Sequence, residues 1–316
     1  MWSFCEVDFM GSEKRAYVFA SSISFHQYHF DSSAMKYAGT LILVLAACHV
    51  VGALRFLERR CTSKSRHRRR LIGGVDAKLF STPWMAYLHR NGDFICGGSL
   101  ITYRFVLTAA HCRKLDEQIV VRLGEYDVDT QIDCRDRGCA LPFEDHEVES
   151  FYSHPSYTTI KHFDIALVKL KTRVVEQNNI TPICLLLDTT DTWQRYVDSI
   201  QQFSVAGWGW TKTDSLSHVL QTANVTKVDE FTCIGDFGFE VDQSHICAGD
   251  PARHTCNGDS GGPLFATISE DLVDYNVQFG IVSYGENPCK GVGVFTNVKS
   301  YIPWIEHTIN RANTVA

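Results

Sequence analysis

The chain of 316 residues is longer than one average domain, and its length also fits a β-barrel enzyme of about 250 residues with N-terminal additions. Hydrophobic residues make up 45% and charged residues 21%, which excludes a chain that is disordered throughout. The net charge of −6 argues against a nucleic-acid-binding protein, and 12 cysteines are many for a cytosolic enzyme.

The first 53 residues contain one recognisable segment. Residues 1–34 have no usable period or motif and form an N-terminal extension of uncertain role. Residues 35–53 read MKYAGTLILVLAACHVVGA, which is the basic, apolar and small-residue order of a secretory signal peptide. The apolar run is shorter than the about 20 residues that a transmembrane helix needs. We expect translation from Met35 and secretion to the extracellular space, with an uncleaved membrane anchor translated from Met1 as the alternative.

A strongly basic segment follows and is fused to an acidic remainder. Residues 55–70 read RFLERRCTSKSRHRRR and have a net charge of +7, whereas residues 71–316 have a net charge of −12. Such a segment is a solvated tail, a nucleic-acid patch or a linker that is cut after an arginine. The residues that follow Arg70 decide between these interpretations.

Short β-rich runs separated by Gly, Asp, Asn and Pro recur along residues 71–316. This pattern predicts an all-β fold, an antiparallel barrel or sandwich. The terminal stretch KSYIPWIEHTINRA is the one that looks helical. The runs are WMAYLH, RFVLTAA, QIVVRLG, IALVKL, FSVAGWG, QFGIVSYG and GVGVFTNV.

Three motifs carry catalytic chemistry in the order His, Asp, Ser: LTAAHC with His111, DIAL with Asp164 and CNGDSGGP with Ser260. A serine hydroxyl is a poor nucleophile unless a base lies within hydrogen-bond reach, and that base needs an orienting carboxylate. The glycines around Ser260 let backbone N–H groups turn towards a developing oxyanion. The order matches chymotrypsin rather than subtilisin or the α/β-hydrolases.

On these motifs, residues 71–316 resemble a trypsin- or chymotrypsin-type serine protease of the S1 family, and the resemblance spans the whole segment. It implies two perpendicular six-stranded antiparallel β-barrels with the active site between them, and a C-terminal helix. It also implies that Ser260 attacks the scissile carbonyl, His111 accepts the proton and Asp164 orients His111. The N–H groups of Gly258 and Ser260 would form the oxyanion hole.

The resemblance explains the basic segment as an activation propeptide, residues 54–70. Arg70-Leu71-Ile72-Gly73-Gly74 matches the activation site of the family, with Leu71 in place of the more usual Ile. The α-amine freed on Leu71 would pair with Asp259, because a buried carboxylate needs such a partner. We therefore expect a zymogen that an upstream protease activates, followed by a protease domain at residues 71–316.

The resemblance also proposes a disulfide framework of an arthropod type, without a six-cysteine clip domain upstream. Spacing alone cannot choose among so many pairings. Cys61–Cys184 would be the sole link that keeps the cut propeptide attached, and Cys5 and Cys48 remain unassigned. The other proposed pairs are Cys96–Cys112, Cys134–Cys139, Cys233–Cys247 and Cys256–Cys289.

The substrate pocket departs from the trypsin pattern. His254 stands where trypsin-like members carry the Asp that selects Lys or Arg, and a His does not hold a substrate cation as a carboxylate does. Gly285 and Gly293 occupy the positions that leave the pocket open, and Ser283 matches the residue that supports Asp164 and pairs with substrate backbone. An aromatic or large apolar preference, an acidic preference, and an offset that places another acid at the base all remain open.

Weaker signals concern ligands and modification. No cofactor is expected, although Ca²⁺ is possible in the carboxylate-rich loop from Gly124 to Asp136; a solvated acidic loop is the favoured interpretation, because no ligand spacing is diagnostic. Asn179 and Asn224 begin glycosylation sequons, and Pro182 weakens the first.

Two functions remain in competition. The first is an active secreted serine endopeptidase with protein or peptide substrates, and with a serpin-type inhibitor as a possible partner. The second is a catalytically weak homologue that acts as a binding or regulatory module. The complete set of catalytic residues favours the enzyme, and His254 keeps the alternative open.

Overall fold

The computed structural model describes residues 54–65, 75–113, 118–135, 138–187, 198–209, 215–237, 241–250, 259–270, 272–285 and 291–314. The extension at 1–34 and the signal segment at 35–53 lie outside these ranges. The strands in chain order are β1 (Ser63–Ser65), β2 (Val75–Asp76), β3 (Met85–Arg90), β4 (Asp93–Thr102), β5 (Phe105–Thr108), β6 (Val120–Leu123), β7 (Cys134–Arg135), β8 (Gly138–Cys139), β9 (Glu144–Ser153), β10 (Ala166–Leu170), β11 (Gln202–Gly207), β12 (Gln221–Lys227), β13 (His245–Asp250), β14 (Pro263–Glu270), β15 (Val273–Gly285) and β16 (Gly291–Asn297). The helices are α1 (Glu230–Phe237) and α2 (Ile302–Thr314), with 3-10 helices at Ala110–Cys112 and Val298–Tyr301.

These strands form two closed six-stranded antiparallel barrels, which confirms the predicted fold class. The first barrel closes in the order β10-β5-β4-β3-β6-β9. The second runs β15-β14-β11-β12-β13-β16 and closes through the pairing of β16 with β15. Closure gives each strand of a ring a partner strand on both sides.

Apolar side chains alternate into the barrel interiors and form the core. Trp84 and Phe105 are fully buried in the first barrel, as are Leu107 and Leu167 on the paired strands β5 and β10. Trp84 also packs edge-on against Phe265 of the second barrel, with ring centroids 5.1 Å apart. The core is therefore continuous between the barrels.

Residues 55–65 of the propeptide are docked on the protease domain by more than the Cys61–Cys184 disulfide. β1 extends the second barrel by pairing Ser63 with Tyr275 of β15. The Phe56 ring lies 4.8 Å from the Tyr275 ring, and the Thr62 backbone N–H donates to the carbonyl of Pro182 at 2.8 Å. The expectation that Cys61–Cys184 is the sole link is therefore wrong, because backbone pairing and ring packing add a non-covalent interface.

The helical content differs from the sequence prediction at one place. The predicted terminal helix is present as α2, whereas α1 was not predicted. Asp229 caps α1, since its carboxylate accepts from the Thr232 N–H at 3.0 Å and from the Thr232 hydroxyl at 2.6 Å. The Asp229 side chain thus supplies a helix start that a search for apolar periodicity does not detect.

Helix α2 returns from the second barrel to the first. The fully buried ammonium of Lys169 on β10 lies 2.6 Å from Glu149 Oε1 and 2.9 Å from the Ala312 carbonyl oxygen. A cation at a helix C-terminus interacts favourably with the helix dipole and satisfies a carbonyl that lacks an intrahelical partner. Lys169 therefore fastens the end of α2 to the first barrel.

Candidate active site

His111 lies on the short 3-10 helix that follows β5. The neighbouring Cys112 is bonded to Cys96 of β4, and both are buried. The His111 side chain retains 20% of its accessible surface. The disulfide fixes the backbone of this turn against the barrel, while the imidazole stays accessible to a reactant.

The carboxylate of Asp164 is 1% exposed and binds His111 at two points. Its Oδ1 accepts from the backbone N–H of His111 at 2.9 Å, and its Oδ2 lies 2.7 Å from His111 Nδ1. Because a carboxylate can only accept, Nδ1 carries a hydrogen. In the neutral imidazole, Nε2 is then the free lone pair that can take a proton.

Two hydroxyl groups from the second barrel complete the surroundings of Asp164. Ser283 Oγ donates to Asp164 Oδ2 at 2.5 Å, and Thr296 Oγ1 donates to the Asp164 backbone carbonyl at 2.8 Å. A buried carboxylate is tolerated when hydrogen bonds replace its lost hydration. Ser283 thus contacts the carboxylate of Asp164, and Thr296 is a contributor that sequence reasoning missed.

The backbone around Ser260 is tied to the same region of the first barrel. The Gly97 N–H donates to the Ser260 carbonyl at 2.8 Å, and Thr108 Oγ1 donates to the Gly97 carbonyl at 2.8 Å. Gly261 has a φ of +80°, and a Cβ there would lie 2.2 Å from Thr108 Oγ1 and 3.1 Å from Cys112 Sγ. The serine turn thus packs directly on the element that carries His111, and glycine permits this approach.

Asp259 sits in a cradle of glycines. The Gly209 N–H donates to Asp259 Oδ1 at 3.0 Å. A Cβ on Gly207 would lie 2.2 Å from the same oxygen, and a Cβ on Gly209 would lie 2.5 Å from it. Side chains at these two positions would displace the carboxylate that immediately precedes Ser260.

Several predicted site residues fall outside the described ranges. These are Arg70 and Leu71 of the activation site, His254 of the pocket base and Gly258 of the oxyanion hole. The remaining pocket glycines are described: Gly285 of β15 pairs with Gly293 of β16. Among the described residues, a Cβ on Gly285 would meet the Gly293 Cα at 3.6 Å, which is ordinary contact.

The structure contains four of the five disulfides that the resemblance proposes. They are Cys61–Cys184, Cys96–Cys112, Cys134–Cys139 and Cys233–Cys247. Cys134 and Cys139 join the two strands of the small β7–β8 hairpin. Both partners of the fifth pair, Cys256–Cys289, lie outside the described ranges, as do Cys5 and Cys48.

The acidic loop after β6 is only partly solvated. Glu125 and Asp133 are buried, and burial raises the pKa of both carboxyl groups. Arg122 Nη1 lies 3.2 Å from Glu125 Oε2, and Thr130 Oγ1 donates to Asp133 Oδ1 at 2.7 Å. The description of a solvated loop is thus wrong for these two residues, because protein groups replace water around them.

Candidate metal ligands gather at one place in the part of the chain that the structure describes. Cys96, His111 and Cys112 have ligand atoms within 4.8 Å of one another. Both sulfurs belong to the Cys96–Cys112 disulfide and are not thiolates, so the group lacks the donors of a metal site.

Asn179 of the first sequon is buried. Its Nδ2 donates to the Leu141 carbonyl at 2.9 Å and to the Gly124 carbonyl at 3.3 Å. A glycan on Nδ2 has no room in this packing, so the structure disfavours use of the first sequon. Asn224 is half-buried on β12.

The amino-acid sequence is similar to those of known proteins. The family model described as Trypsin matches residues 71–305. The chain is 39% identical to "Serine protease grass" of Drosophila melanogaster over 259 residues, covering 76% of this chain and 68% of the relative. It is 36% identical to "Spaetzle-processing enzyme" of the same organism over 268 residues, covering 76% and 66%. The chain thus spans about two thirds of the length of these relatives.

Solved structures show the same fold. The crystal structure of the Drosophila Grass clip serine protease of the Toll pathway superposes with a TM-score of 0.68 at 34% identity, covering 84% of this chain and 78% of that one. Neuropsin, a serine protease expressed in the limbic system of mouse brain, gives a TM-score of 0.62 at 28% identity, covering 76% and 100%. Within the described ranges, every helix is too short or too polar to cross a membrane.

Proposed function

Because the chain belongs to the trypsin family of serine endopeptidases, we propose that it hydrolyses protein substrates with Ser260 as nucleophile, His111 as base and Asp164 as the residue that orients His111. The observation that carries this proposal is the double contact between Asp164 and His111, made beside a serine turn that is bound to Gly97. This arrangement holds the base and the nucleophile-bearing turn on one rigid scaffold.

The proposed reaction proceeds through an acyl-enzyme. The oxygen lone pair of Ser260 attacks the scissile carbonyl carbon while its proton passes to His111 Nε2, and the carbonyl electrons move onto oxygen. N–H groups of Gly258 and Ser260 would stabilise that oxyanion. His111 then protonates the departing amine, and a water molecule repeats the sequence to release the acid and restore the Ser260 hydroxyl. The chemistry needs no cofactor.

Activation would require the cut after Arg70. The freed α-amine of Leu71 would pair with the carboxylate of Asp259, whose Oδ1 is already held by the Gly209 N–H. Because Asp259 adjoins Ser260, this pairing would order the oxyanion hole. Arg70→Gln is expected to remain inactive after treatment with a trypsin-like activator, and full activity of the uncut variant would contradict the zymogen proposal.

Location and partners follow from the segments before the protease domain. We propose that translation starts at Met35, that residues 35–53 direct secretion, and that an upstream protease cuts at the basic segment. The disulfides are consistent with an oxidising compartment. A serpin-type inhibitor is a proposed partner, and the charge of −12 on residues 71–316 opposes nucleic-acid binding. The 70 residues before Leu71 contain three cysteines, so we propose that they hold no six-cysteine clip domain.

Substrate preference depends on His254, and all three pocket interpretations stand. A positional-scanning peptide library on the cleaved enzyme separates them: aromatic, acidic or basic residues at the cleaved position correspond to the first, second and third interpretations. Ca²⁺ binding near Glu125 and Asp133 also stays a prediction, which a thermal shift with Ca²⁺ against Mg²⁺ examines. Ca²⁺ there would stabilise the loop and take no part in the chemistry.

One experiment separates the enzyme from the weak homologue. The secreted protein is cut after Arg70 and treated with a fluorophosphonate probe, with Ser260→Ala as the matched control. We expect labelling of the cut wild type alone, together with turnover of a peptide substrate. Absence of both labelling and turnover in the cut wild type would favour the binding or regulatory module.

A further inference from the structure

The backbone just before Asp164 adopts a costly conformation. Phe163 has a φ of +56°, in the left-handed region that bulky residues avoid. The turn leading to it is closed by the His162 N–H donating to the Thr159 carbonyl at 3.2 Å. Such a conformation persists when surrounding contacts hold it in place. The restraints on this turn therefore bear on the position of Asp164.

One restraint acts on the Phe163 side chain. Its ring stacks on the His154 ring with centroids 4.8 Å apart and planes 12° from parallel. His154 is itself packed edge-on against Tyr301 and tilted against Trp304. This cluster holds the end of the turn that adjoins Asp164. A separate contact holds the middle of the turn.

The middle of the turn is held by His245, at the start of β13 in the second barrel. His245 Nε2 lies 2.7 Å from the Lys161 carbonyl oxygen, although 84 positions separate the two residues. Because a carbonyl can only accept, Nε2 carries the hydrogen of this bond. The His245 side chain is 4% exposed, so water competes little for the contact.

The other ring nitrogen fixes the orientation of the imidazole. His245 Nδ1 lies 3.2 Å from the Asp242 backbone nitrogen and 3.0 Å from Asp242 Oδ1. Asp242 in turn accepts from the Ser244 hydroxyl at 2.6 Å. The contacts at Nδ1 thus orient the imidazole so that its Nε2–H points at the Lys161 carbonyl.

The held turn shares a group with the triad. Ser283 Oγ lies 3.1 Å from the Ile160 carbonyl oxygen and 2.5 Å from Asp164 Oδ2. The single Ser283 hydroxyl hydrogen goes to Asp164, so the Ile160 carbonyl contacts this oxygen by packing. Displacement of residues 160 and 161 would move the chain that carries Asp164 and change the packing around the hydroxyl that binds its carboxylate.

We propose that His245 is a positioning residue for catalysis: its Nε2–H bond to the Lys161 carbonyl holds the strained turn at 159–163 and thereby orients Asp164 towards His111. This inference rests on the proposed role of the triad. His245 touches none of the three triad side chains in the contacts described above, and it acts through the backbone of the turn.

The test compares two substitutions of His245 by amide side chains of different length, made in the full chain cut after Arg70. In His245→Gln the amide nitrogen lies about where Nε2 lies and can still bind Lys161, whereas in His245→Asn it stops at the Nδ1 position. We expect His245→Asn to lower kcat, counted per fluorophosphonate-labelled site, by about 3- to 10-fold, the range for loss of one hydrogen bond. KM should stay unchanged, and His245→Gln should restore most of kcat. His307→Asn on the exposed face of α2 is the matched control.

A second readout is independent of catalysis. In a Ser260→Ala background, amide hydrogen exchange of a peptide spanning residues 155–165 should be faster in His245→Asn than in His245→Gln. Wild-type kcat in His245→Asn, an equal loss in His245→Gln, a change confined to KM, or unchanged exchange would each overturn the proposal. An inactive cut wild type would overturn the proposed function instead, while the exchange measurement still decides the role of His245.

Discussion

Replacing Gly209 by alanine should disable the enzyme without disturbing the local backbone. The φ of Gly209 is not in the left-handed region, so alanine is compatible with its conformation. The new Cβ, however, would lie 2.5 Å from Oδ1, 2.6 Å from Cγ and 2.8 Å from Oδ2 of Asp259. The substitution therefore acts through collision with one carboxylate.

The expected loss follows from these distances. Carbon atoms pack at about 3.5–4.0 Å, so the carboxylate must move by about 1 Å. Asp259 is bonded to Ser260, and a displacement of about 1 Å at a catalytic group costs about 100-fold in rate. Loss of one oxyanion donor costs a similar factor. We expect kcat on a chromogenic peptide to fall about 100-fold, and Gly207→Ala should be at least as severe.

The control is Gly235→Ala in α1, where a Cβ would meet no atom of the described residues within 4 Å. This substitution should leave kcat unchanged and stabilise the helix by up to about 1 kcal/mol. All variants are cut after Arg70 and compared by active-site labelling and by initial rates. If Gly209→Ala retains kcat within about threefold of wild type, the carboxylate can relax without moving Ser260, and the reasoning from the cradle fails.

Four further outcomes are expected. With serine at both Cys61 and Cys184, the cut propeptide should remain bound, because strand pairing and ring packing also hold it; native mass spectrometry would show separate chains if this is wrong. Lys169→Met should lower stability by about 2 kcal/mol, or about 5 °C in Tm, because a helix-end carbonyl loses its partner; an unchanged calorimetric Tm would contradict this. Burial lowers the pKa of His154, so the unfolded state binds the proton more readily and stability should fall as pH drops below about 6.5; His154→Gln should flatten that slope in urea titrations between about pH 5 and 7. Asn179→Gln should leave the glycosidase-sensitive mobility of the secreted protein unchanged, and a lost glycan would refute its burial.

Local signals made the barrels and much of the site predictable. The composition of a run such as IALVKL is enough to predict a strand, and β10 lies where that run predicts it. The His111 and Ser260 motifs mark tight turns. Gly261 permits the close approach of the two turns, and Cys112 forms a disulfide beside His111. By contrast, β4 reads DFICGGSLIT, and its glycines weaken the strand pattern. A Cβ on Gly97 would lie 3.3 Å from the Gly262 Cα, a tight contact with a neighbour far away in sequence.

The contacts that the sequence did not reveal join distant segments. β1 consists of Ser63, Lys64 and Ser65, which have no strand signal of their own and pair because β15 provides an edge. Nothing near His245 in the sequence points to Lys161, and nothing near Lys169 points to the end of α2. Polar side chains of this kind are normally solvent-facing, and a one-dimensional pattern does not distinguish the buried exceptions.

Each end of the described chain packs on the barrel that is farther from it in sequence. The N-terminal strand β1 pairs with the second barrel, although the first barrel follows it in sequence. Helix α2 follows the last strand of the second barrel and ends at Lys169 of the first. Each barrel thus carries a segment from the far side of the chain in addition to its own six strands. Thermal unfolding should consequently be a single all-or-none transition, with calorimetric and van't Hoff enthalpies equal, and neither barrel should fold when expressed alone.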